Sequence, residues 1–236
     1  MRALIIDNNI SPDCWGSPDL RRSVASVPGI TLTVRRGPQD DFPRDLSRFD
    51  RIILSGSYTS CLDEAPWIAH EDELIRRALD ESKPLLAICY GHQALARVLG
   101  GKKLLRKSQT PEFGWTKIER RIDDPIFEGL PRAFHTFSSH FEEVSELPPG
   151  TKLLASSESC EVQAFRVEGK PAVGVQFHPE RNLEEAIKTI SDWKRKKDGR
   201  PLSHPDESTR HYDPKVVATI FGNFLKGASA LKGFSE

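Results

Sequence analysis

The chain has 236 residues, and its 34 Lys and Arg are balanced by 34 Asp and Glu, so the formal net charge is zero. This balance excludes a general electrostatic attraction to nucleic acids or anionic membranes and favours a small neutral substrate. No apolar stretch reaches the roughly 18 residues that a membrane-spanning helix needs. The length suits one α/β domain with a sizeable core, so we expect residues 1–236 to form a single domain.

Strands and helices alternate in the first half of the chain. The predicted strands are residues 2–7, 30–35, 51–55 and 84–88, and the predicted helices are residues 19–27 and 67–82. This alternation predicts βα units and therefore an α/β fold with an open, mainly parallel sheet flanked by helices. Residues 52–54 and 85–88 are continuously apolar, as in strands that are buried on both faces.

Residues 1–7 begin with a strand pattern and not with a signal peptide, so a cytoplasmic location is expected. The four cysteines, Cys14, Cys61, Cys89 and Cys160, lack the paired spacing of zinc or redox centres. In a reducing cytosol they should be thiols. The seven histidines form no H-x-x-x-H pair. We therefore predict no metal and no cofactor.

Cys89 follows an apolar strand and opens a turn, with Ala87 two positions before it and Gly91 two positions after it. A sharp strand-to-helix turn that exposes a nucleophile needs small residues at these two places. The predicted helix over residues 93–99 directs its amides and the positive end of its dipole at the sulfur, which favours the reactive thiolate. Taken alone, however, a cysteine after a buried strand is more often an inert thiol.

After Gly100 the chain changes to short β-rich pieces separated by Pro and Gly turns. They are predicted at residues 102–106, 112–119, 134–137, 152–156, 161–167 and 171–177. We expect these pieces to extend the sheet and to add a small antiparallel layer over the site.

His178 and Glu180 end the last of these strands, two positions apart and therefore on one face. A base oriented by a third group is what cysteine catalysis requires. This pair and Cys89 both follow predicted parallel strands, whose carboxyl ends hold the active sites of open α/β sheets. A His-x-Glu pair alone is more often a surface pair, but the two motifs together predict a Cys89–His178–Glu180 triad.

Two segments resemble the catalytic motifs of the class I, triad-type glutamine amidotransferases: Leu-Ala-Ile-Cys-Tyr-Gly-His-Gln at 86–93 and Gly-Val-Gln-Phe-His-Pro-Glu at 174–180. Further matching motifs lie between them, at residues 139–144, 147–150, 154–158 and 163–165. This middle stretch is most similar to the amidotransferase part of GMP synthase. The resemblance spans about residues 50–190 and implies a flavodoxin-like fold.

The resemblance also implies roles for residues around the triad. Its oxyanion hole would use the backbone amides of Tyr90 and Ser57, although the turn at 55–58 reads Ser-Gly-Ser-Tyr where the family usually has Ser-Gly-Gly-Pro. Without that second glycine the turn cannot rely on a positive φ at position 57. The residues that match substrate-binding positions are Gly56, Gln93, Ser139, His140 and Phe141. The side chain of His140 is left open between a third basic group and a structural hydrogen-bonding partner.

Relative to the family, the polar and charged segment 194–214 resembles an insertion before a final helix at 214–226. Its low apolar content predicts a solvated loop. A lid or a partner surface is the alternative interpretation.

The implied reaction is hydrolysis of the side-chain amide of L-glutamine through a γ-glutamyl thioester on Cys89, giving glutamate and ammonia. The sequence has neither a Ser-Gly-Gly-x-Asp-Ser phosphate loop nor a Walker motif. A separate synthetase subunit therefore receives the ammonia, or the enzyme acts alone. Two alternatives stay open: a stand-alone γ-glutamyl peptidase or hydrolase with the same triad, and a non-catalytic regulatory module, which would have no need of an intact triad.

Overall fold

A computed structural model describes residues 1–11, 17–196, 202–203 and 208–225 of the chain. The helices are α1 (Ser17–Ala25), α2 (Pro66–Asp80), α3 (Tyr90–Gly100), α4 (Leu183–Lys196), α5 (Ser208–His211) and α6 (Pro214–Leu225). The strands are β1 (Arg2–Asp7), β2 (Thr31–Arg36), β3 (Arg51–Leu54), β4 (Leu85–Ile88), β5 (Leu105–Arg120), β6 (Ala133–Val144), β7 (Thr151–Ser156), β8 (Ala164–Val167), β9 (Ala172–Val175) and β10 (Leu202–Ser203). The described strands form one sheet in the order β10-β5-β7-β8-β9-β4-β3-β1-β2, and β6 pairs with β5.

The parallel part of the sheet runs β2-β1-β3-β4-β9, and each neighbouring pair in this run is parallel. This is the strand order of a flavodoxin-like sheet, so the predicted fold class is confirmed. Every residue of β3 and β4 is buried, as the continuous apolar runs 52–54 and 85–88 predicted, and every residue of β9 is buried as well. Ile6 of β1 packs in a core with α2 and α3, whereas Ile5 packs on the opposite face with α1 and α6.

The antiparallel strands continue the same sheet beyond β9, through β8, β7 and β5 to β6. The strand β6 is longer than the four residues predicted, because it continues through the polar residues 138–143. The middle of β6 reaches the carboxyl edge of the parallel strands, where Phe137 and His178 form an isolated bridge. The long β5–β6 hairpin thereby forms one wall of the region around Cys89.

Helix α4 was not predicted, although its sequence carries the signal of an amphipathic helix. Ala186 and Ile190, four positions apart on one helix face, are buried against Phe113, Trp115 and Phe137. The helix therefore packs against the middle of the β5–β6 hairpin.

The segment 194–214 differs in part from the solvated loop that its composition predicted. Residues 194–196 end α4, β10 pairs with β5, and α5 occupies residues 208–211, whereas 197–201 and 204–207 lie outside the described residues. The hydroxyl of Ser208 is buried and accepts a hydrogen bond of 2.9 Å from the indole Nε1 of Trp115. Composition missed this packing because it depends on backbone pairing and on individual contacts, among them the Ser208 hydrogen bond and the ring contacts of His211 with His135 and of Tyr212 with Trp115. The identification of 194–214 as an insertion stays a prediction.

Removing this contact should destabilise the protein. We expect Ser208→Ala to lower the free energy of unfolding by about 1–3 kcal/mol, because the buried N–H of Trp115 is left without its acceptor. Urea unfolding followed by tryptophan fluorescence measures the change. Ser26→Ala, which removes an exposed hydroxyl from the end of α1, is the control and should change stability much less. Equal, small effects of the two substitutions would show that the contact at Ser208 does not hold α5 to the sheet.

Candidate active site

Cys89 occupies the turn between β4 and α3 in a conformation that non-glycine residues rarely adopt. Its φ is +50° and its ψ is −103°. The turn is held on both sides, because its N–H donates to Val175 O (2.8 Å) and its carbonyl accepts from Gln93 N (3.0 Å). Gly91 is needed for the close packing of α3 on β3, since a Cβ there would lie 2.9 Å from the carbonyl oxygen of Leu54. A strained backbone that is held in place by surrounding hydrogen bonds and packing is typical of a turn that carries a nucleophile.

His178 and Glu180 follow β9 and lie beside this turn. The backbone N–H of His178 donates to Phe137 O (2.7 Å), and its Nδ1 lies 2.7 Å from Glu180 Oε1. Both side chains are 2% exposed. A Cβ placed on Gly56 would lie 2.8 Å from His178 Cε1 and 3.5 Å from Cys89 Cβ. The ends of β3, β4 and β9 therefore bring Gly56, Cys89 and the histidine–glutamate pair together.

The electrostatic environment of His178 favours the imidazolium. Burial by itself lowers the pKa of His178, but the negative charges of Glu180 and of a Cys89 thiolate, with hydrogen bonds to both, outweigh it and raise the pKa to about 9. A carboxylate on one ring nitrogen and a sulfur on the other side hold a base in the orientation that nucleophilic catalysis uses.

Behind Glu180 lies a buried guanidinium that the sequence analysis missed. Arg181 is 3% exposed and its Nη1 lies 2.7 Å from Asp19 Oδ2. Burial lowers the pKa of Arg181, and the charges of Asp19 and Glu180 act in the opposite direction. The positive charge of Arg181 thus partly offsets the negative charges of three carboxylates, Asp19, Glu180 and Glu185, which reduces the cost of burying carboxylates in this cluster.

A pocket of about 190 Å³ opens beside the sulfur of Cys89. Its volume is below the roughly 300–1,000 Å³ of pockets for drug-sized ligands, so it suits a small metabolite. The lining includes Cys89, His178 and all but two of the other predicted site residues, namely Ser57, Tyr90, Gln93, Ser139, His140 and Phe141. Of the two others, Gly56 lies against the imidazole of His178 and Glu180 lies at Nδ1 of the same ring.

The turn after β3 is fixed by side-chain hydrogen bonds and needs no second glycine. Neither Gly56 nor Ser57 has a positive φ. Ser55 Oγ accepts from Asn8 N (2.9 Å), and Ser57 Oγ donates to Asn8 O (2.7 Å) and accepts from Thr59 N (2.9 Å). The departure at position 57 therefore leaves the backbone of this turn well defined.

The side chain of His140 has a hydrogen-bonding partner at each ring nitrogen, and its role in the site stays a prediction. Its Nε2 lies 2.9 Å from Glu112 Oε2 and its Nδ1 lies 3.1 Å from Glu142 O. Glu112 is buried and also accepts from three side chains, those of Ser157, Ser159 and Gln163. This network holds β5, β6 and the turn before β8 together next to the pocket.

Glu142 closes the pocket on the side of the turn after β3. Its carboxylate accepts from Ser60 Oγ (2.5 Å) and from Cys61 N (3.1 Å). Its backbone carbonyl accepts from Gln93 Nε2 at 2.8 Å. Neither Glu112 nor Glu142 was selected from the sequence, because no local pattern separates them from surface carboxylates. Among the described residues, no three His, Cys, Asp or Glu side chains converge to hold a metal ion, and the predicted absence of a metal stays a prediction.

The close approach of Gly56 gives a direct test of the site geometry. Gly56→Ala should displace the imidazole of His178, because the new Cβ would lie 2.8 Å from its Cε1. A misplacement of about 1 Å in a catalytic group costs about 10²-fold in rate, and we expect a loss of that size in kcat/KM. Ser26→Ala, at an exposed position outside the pocket lining, is the control and should keep the wild-type rate. If Gly56→Ala folds and keeps the wild-type rate, His178 is not part of the catalytic machinery.

The fold and the site together define a class of α/β proteins that carry out nucleophilic chemistry with a thiol. Their features are a flavodoxin-like sheet, a cysteine on a strained strand-to-helix turn, and a His–Glu pair at the end of the neighbouring strand. The chain belongs to the class I glutamine amidotransferase family, an enzyme family: the sequence model described as "Glutamine amidotransferase class-I" matches residues 20–194.

Individual proteins agree with this assignment. A subunit of the glutamine-hydrolyzing GMP synthase of Thermococcus kodakarensis is 48% identical over 97 residues, covering 41% of this chain and 50% of that protein. The protein of the same name from Sulfolobus acidocaldarius is 34% identical over 155 residues, covering 65% of this chain and 80% of that protein. The match thus spans half the length of the first of these relatives. A glutamine amidotransferase from Methylobacillus flagellatus shares the fold, with a TM-score of 0.78 at 20% identity over 95% of this chain and 94% of that one.

In the described part of the chain, no helix has the length and apolar character of a membrane span.

Proposed function

We propose that this protein hydrolyses the side-chain amide of L-glutamine to glutamate and ammonia, using Cys89, His178 and Glu180 as its triad. The observation that carries the proposal is the contact of the imidazole with Glu180, 2.7 Å from Nδ1 to Oε1, directly beside the cysteine turn at the pocket. Membership of the class I glutamine amidotransferases supports the substrate. The cytoplasmic location stays a prediction.

The first half-reaction forms the thioester. The Cys89 thiolate attacks the amide carbon of the glutamine side chain, and the carbonyl oxygen becomes an oxyanion. Backbone amides of Tyr90, at the first position of α3, and of Ser57, in the turn after β3, are the proposed donors to that oxygen. The imidazolium of His178 then gives its proton to the nitrogen as the C–N bond breaks, and ammonia leaves.

The second half-reaction returns the enzyme to its starting state. His178, now neutral, takes a proton from water, and the resulting hydroxide attacks the thioester carbonyl. The C–S bond breaks, glutamate is released, and the proton stays on the imidazole beside the thiolate. Glu180 keeps its charge throughout and holds the ring in one orientation.

The substrate should lie along the wall formed by β6. Gly56, Gln93 and the backbone of residues 139–141 are the proposed contacts for glutamine. The exposed ring of Phe141 would cover it at the pocket mouth. Since the Thermococcus and Sulfolobus relatives are named as subunits of GMP synthase, we propose that the ammonia passes to a separate synthetase subunit.

The test is the release of ammonia and glutamate by the purified protein from L-glutamine and, in parallel, from a γ-glutamyl dipeptide. We expect equal amounts of ammonia and glutamate from glutamine, with a higher kcat/KM than for the dipeptide. A clear preference for the dipeptide would identify a γ-glutamyl hydrolase instead. Release from neither substrate, even with a GMP synthase ATP-pyrophosphatase subunit present, would favour a non-catalytic module.

The proposed proton donor predicts a pH dependence. Since the pKa of His178 is raised to about 9, the imidazolium is present at neutral pH and is lost as the pH rises through that value. The leaving ammonia needs this proton, so kcat/KM should fall above about pH 9. Glu180→Gln removes the larger of the two charge effects that raise the pKa of His178, so the alkaline fall should begin at lower pH. If kcat/KM of wild type and of Glu180→Gln falls over the same alkaline pH range, His178 is not the group whose titration causes the fall.

A further inference from the structure

Gln176 lies outside the predicted triad, and its side chain contacts the sulfur of Cys89, which also lies 3.9 Å from the backbone oxygen of Ser139. Gln176 immediately follows β9, is completely buried, and its Nε2 lies 3.5 Å from Cys89 Sγ. Its backbone N–H donates to Gln163 O at 2.8 Å, which fixes the main chain at this position. We infer that Gln176 is a further catalytic residue, whose carboxamide donates a hydrogen bond to the sulfur and holds it facing the pocket. For its catalytic meaning the inference rests on the proposed function.

A chain of hydrogen bonds determines which end of the carboxamide faces the sulfur. Gln93 Nε2 lies 2.8 Å from the backbone oxygen of Glu142, which can only accept, so this atom of Gln93 is the nitrogen. The same nitrogen lies 3.1 Å from the nearer atom of the Gln176 carboxamide, which must therefore be the accepting oxygen Oε1. The remaining atom, which faces Cys89, is the NH₂ group.

The position of Gln176 in the chain explains why it reaches the sulfur. Gln176 and His178 are two residues apart and both approach Cys89, as expected for alternate residues of an extended segment. Phe177 between them packs instead on the rings of Phe127 and Phe134. One short segment thus supplies an imidazole and an amide to the same atom.

An uncharged donor suits the charges around the sulfur. The titratable groups nearby are His178 after β9, Cys61 and Tyr58 after β3, Tyr90 on α3, and His140 and Glu142 on β6. Desolvation penalises a buried anion unless hydrogen bonds compensate. The carboxamide stabilises a thiolate without competing with His178 for a proton, because an amide does not titrate in this range.

If Gln176 donates to the sulfur, replacing it should change the reactivity of the Cys89 thiol. This change can be measured without a substrate. The rate of Cys89 alkylation by iodoacetamide should be measured against pH in wild type and in Gln176→Met. The methionine side chain has a similar length but lacks the hydrogen-bond donor. Mass spectrometry verifies that the label is on Cys89. Hydrogen bonds to charged groups are worth enough to change a rate by about tenfold, and we expect alkylation at pH 7 to fall by about that factor. The profile should move to higher pH, and kcat for glutamine should fall with KM changed less than about twofold.

Two further variants separate this role from packing. Gln176→Glu is isosteric and places a negative charge at the sulfur, so the alkylation profile of this variant should also move to higher pH. This second variant keeps the test valid if Gln176→Met folds poorly. Gln163→Met removes a buried glutamine that bonds Glu112 and does not touch the sulfur, and its profile should match wild type. Wild-type profiles in both Gln176 variants, or the same shift in Gln163→Met, would overturn the inference. If wild type shows no turnover of glutamine, the proposed function fails while the alkylation profiles still decide the sulfur contact.

Discussion

Cys89→Ser is expected to abolish glutamine hydrolysis, with kcat/KM at least about 10⁴-fold below wild type. The thiol is the proposed nucleophile, and a serine hydroxyl in its place is far less ionised and far less nucleophilic. The substitution exchanges one atom in a side chain that is 6% exposed, so the fold should be retained. Release of glutamate and ammonia at saturating glutamine measures the loss, and a cooperative thermal transition verifies the fold.

Cys160→Ala is the matched control. Cys160 is also a buried thiol, at 2% exposure, and it is not part of the pocket lining. Burial raises the pKa of both Cys160 and Cys61, which makes them poor nucleophiles. Cys61 is a less suitable control, because its sulfur contacts Arg97 and the backbone oxygen of Tyr90. Near-wild-type turnover by Cys89→Ser would refute the triad.

His178→Ala is expected to cost more than Glu180→Gln. His178 transfers the proton in both half-reactions, so its removal should lower kcat by about 10⁴-fold. Glu180 only orients and charges the ring, and the amide oxygen of the substituted side chain could still accept from Nδ1–H, so we expect a loss of about 10²-fold. Steady-state kinetics of the two variants at pH 7 provide the comparison.

Equal losses in the two variants would assign Glu180 a second, structural role. The buried neighbourhood of Arg181 and Asp19 offers the physical route, since removing one carboxylate changes the charge balance of that cluster. Thermal stability distinguishes the cases, because a purely orienting residue leaves the melting temperature close to that of wild type.

The parallel half of the fold and the triad were accessible from the sequence because their signals are local. Continuous apolar runs mark β3 and β4, and the small residues at Ala87 and Gly91 mark the turn that carries Cys89. Active sites of such sheets lie at the carboxyl ends of the parallel strands. That rule predicted that Cys89 and His178, which are 89 positions apart, lie close together.

The contacts that complete the site were not accessible, because they join polar residues far apart in sequence. Gln176 and Cys89 are 87 residues apart, and Glu112 meets Gln163 over 51 residues. The polar end of β6 lacks an apolar alternation because its partners are buried hydrogen-bonding groups, so its length was underestimated. Helix α4, by contrast, carried a readable pattern of apolar residues, and its omission was an error of interpretation.

Labelling with a diazo-ketone analogue of glutamine tests the central claim most directly, because the reagent must bind as glutamine and must be attacked by the nucleophile. The diazo carbon takes up a proton, the sulfur then displaces dinitrogen from it, and the resulting stable thioether can be located by peptide mass spectrometry. We predict one label per chain, on Cys89, with a rate that excess L-glutamine lowers and that Cys89→Ser abolishes. Label on Cys61 or Cys160, or labelling of Cys89 that glutamine does not slow, would contradict the assignment of this pocket as a glutamine site with Cys89 as its nucleophile.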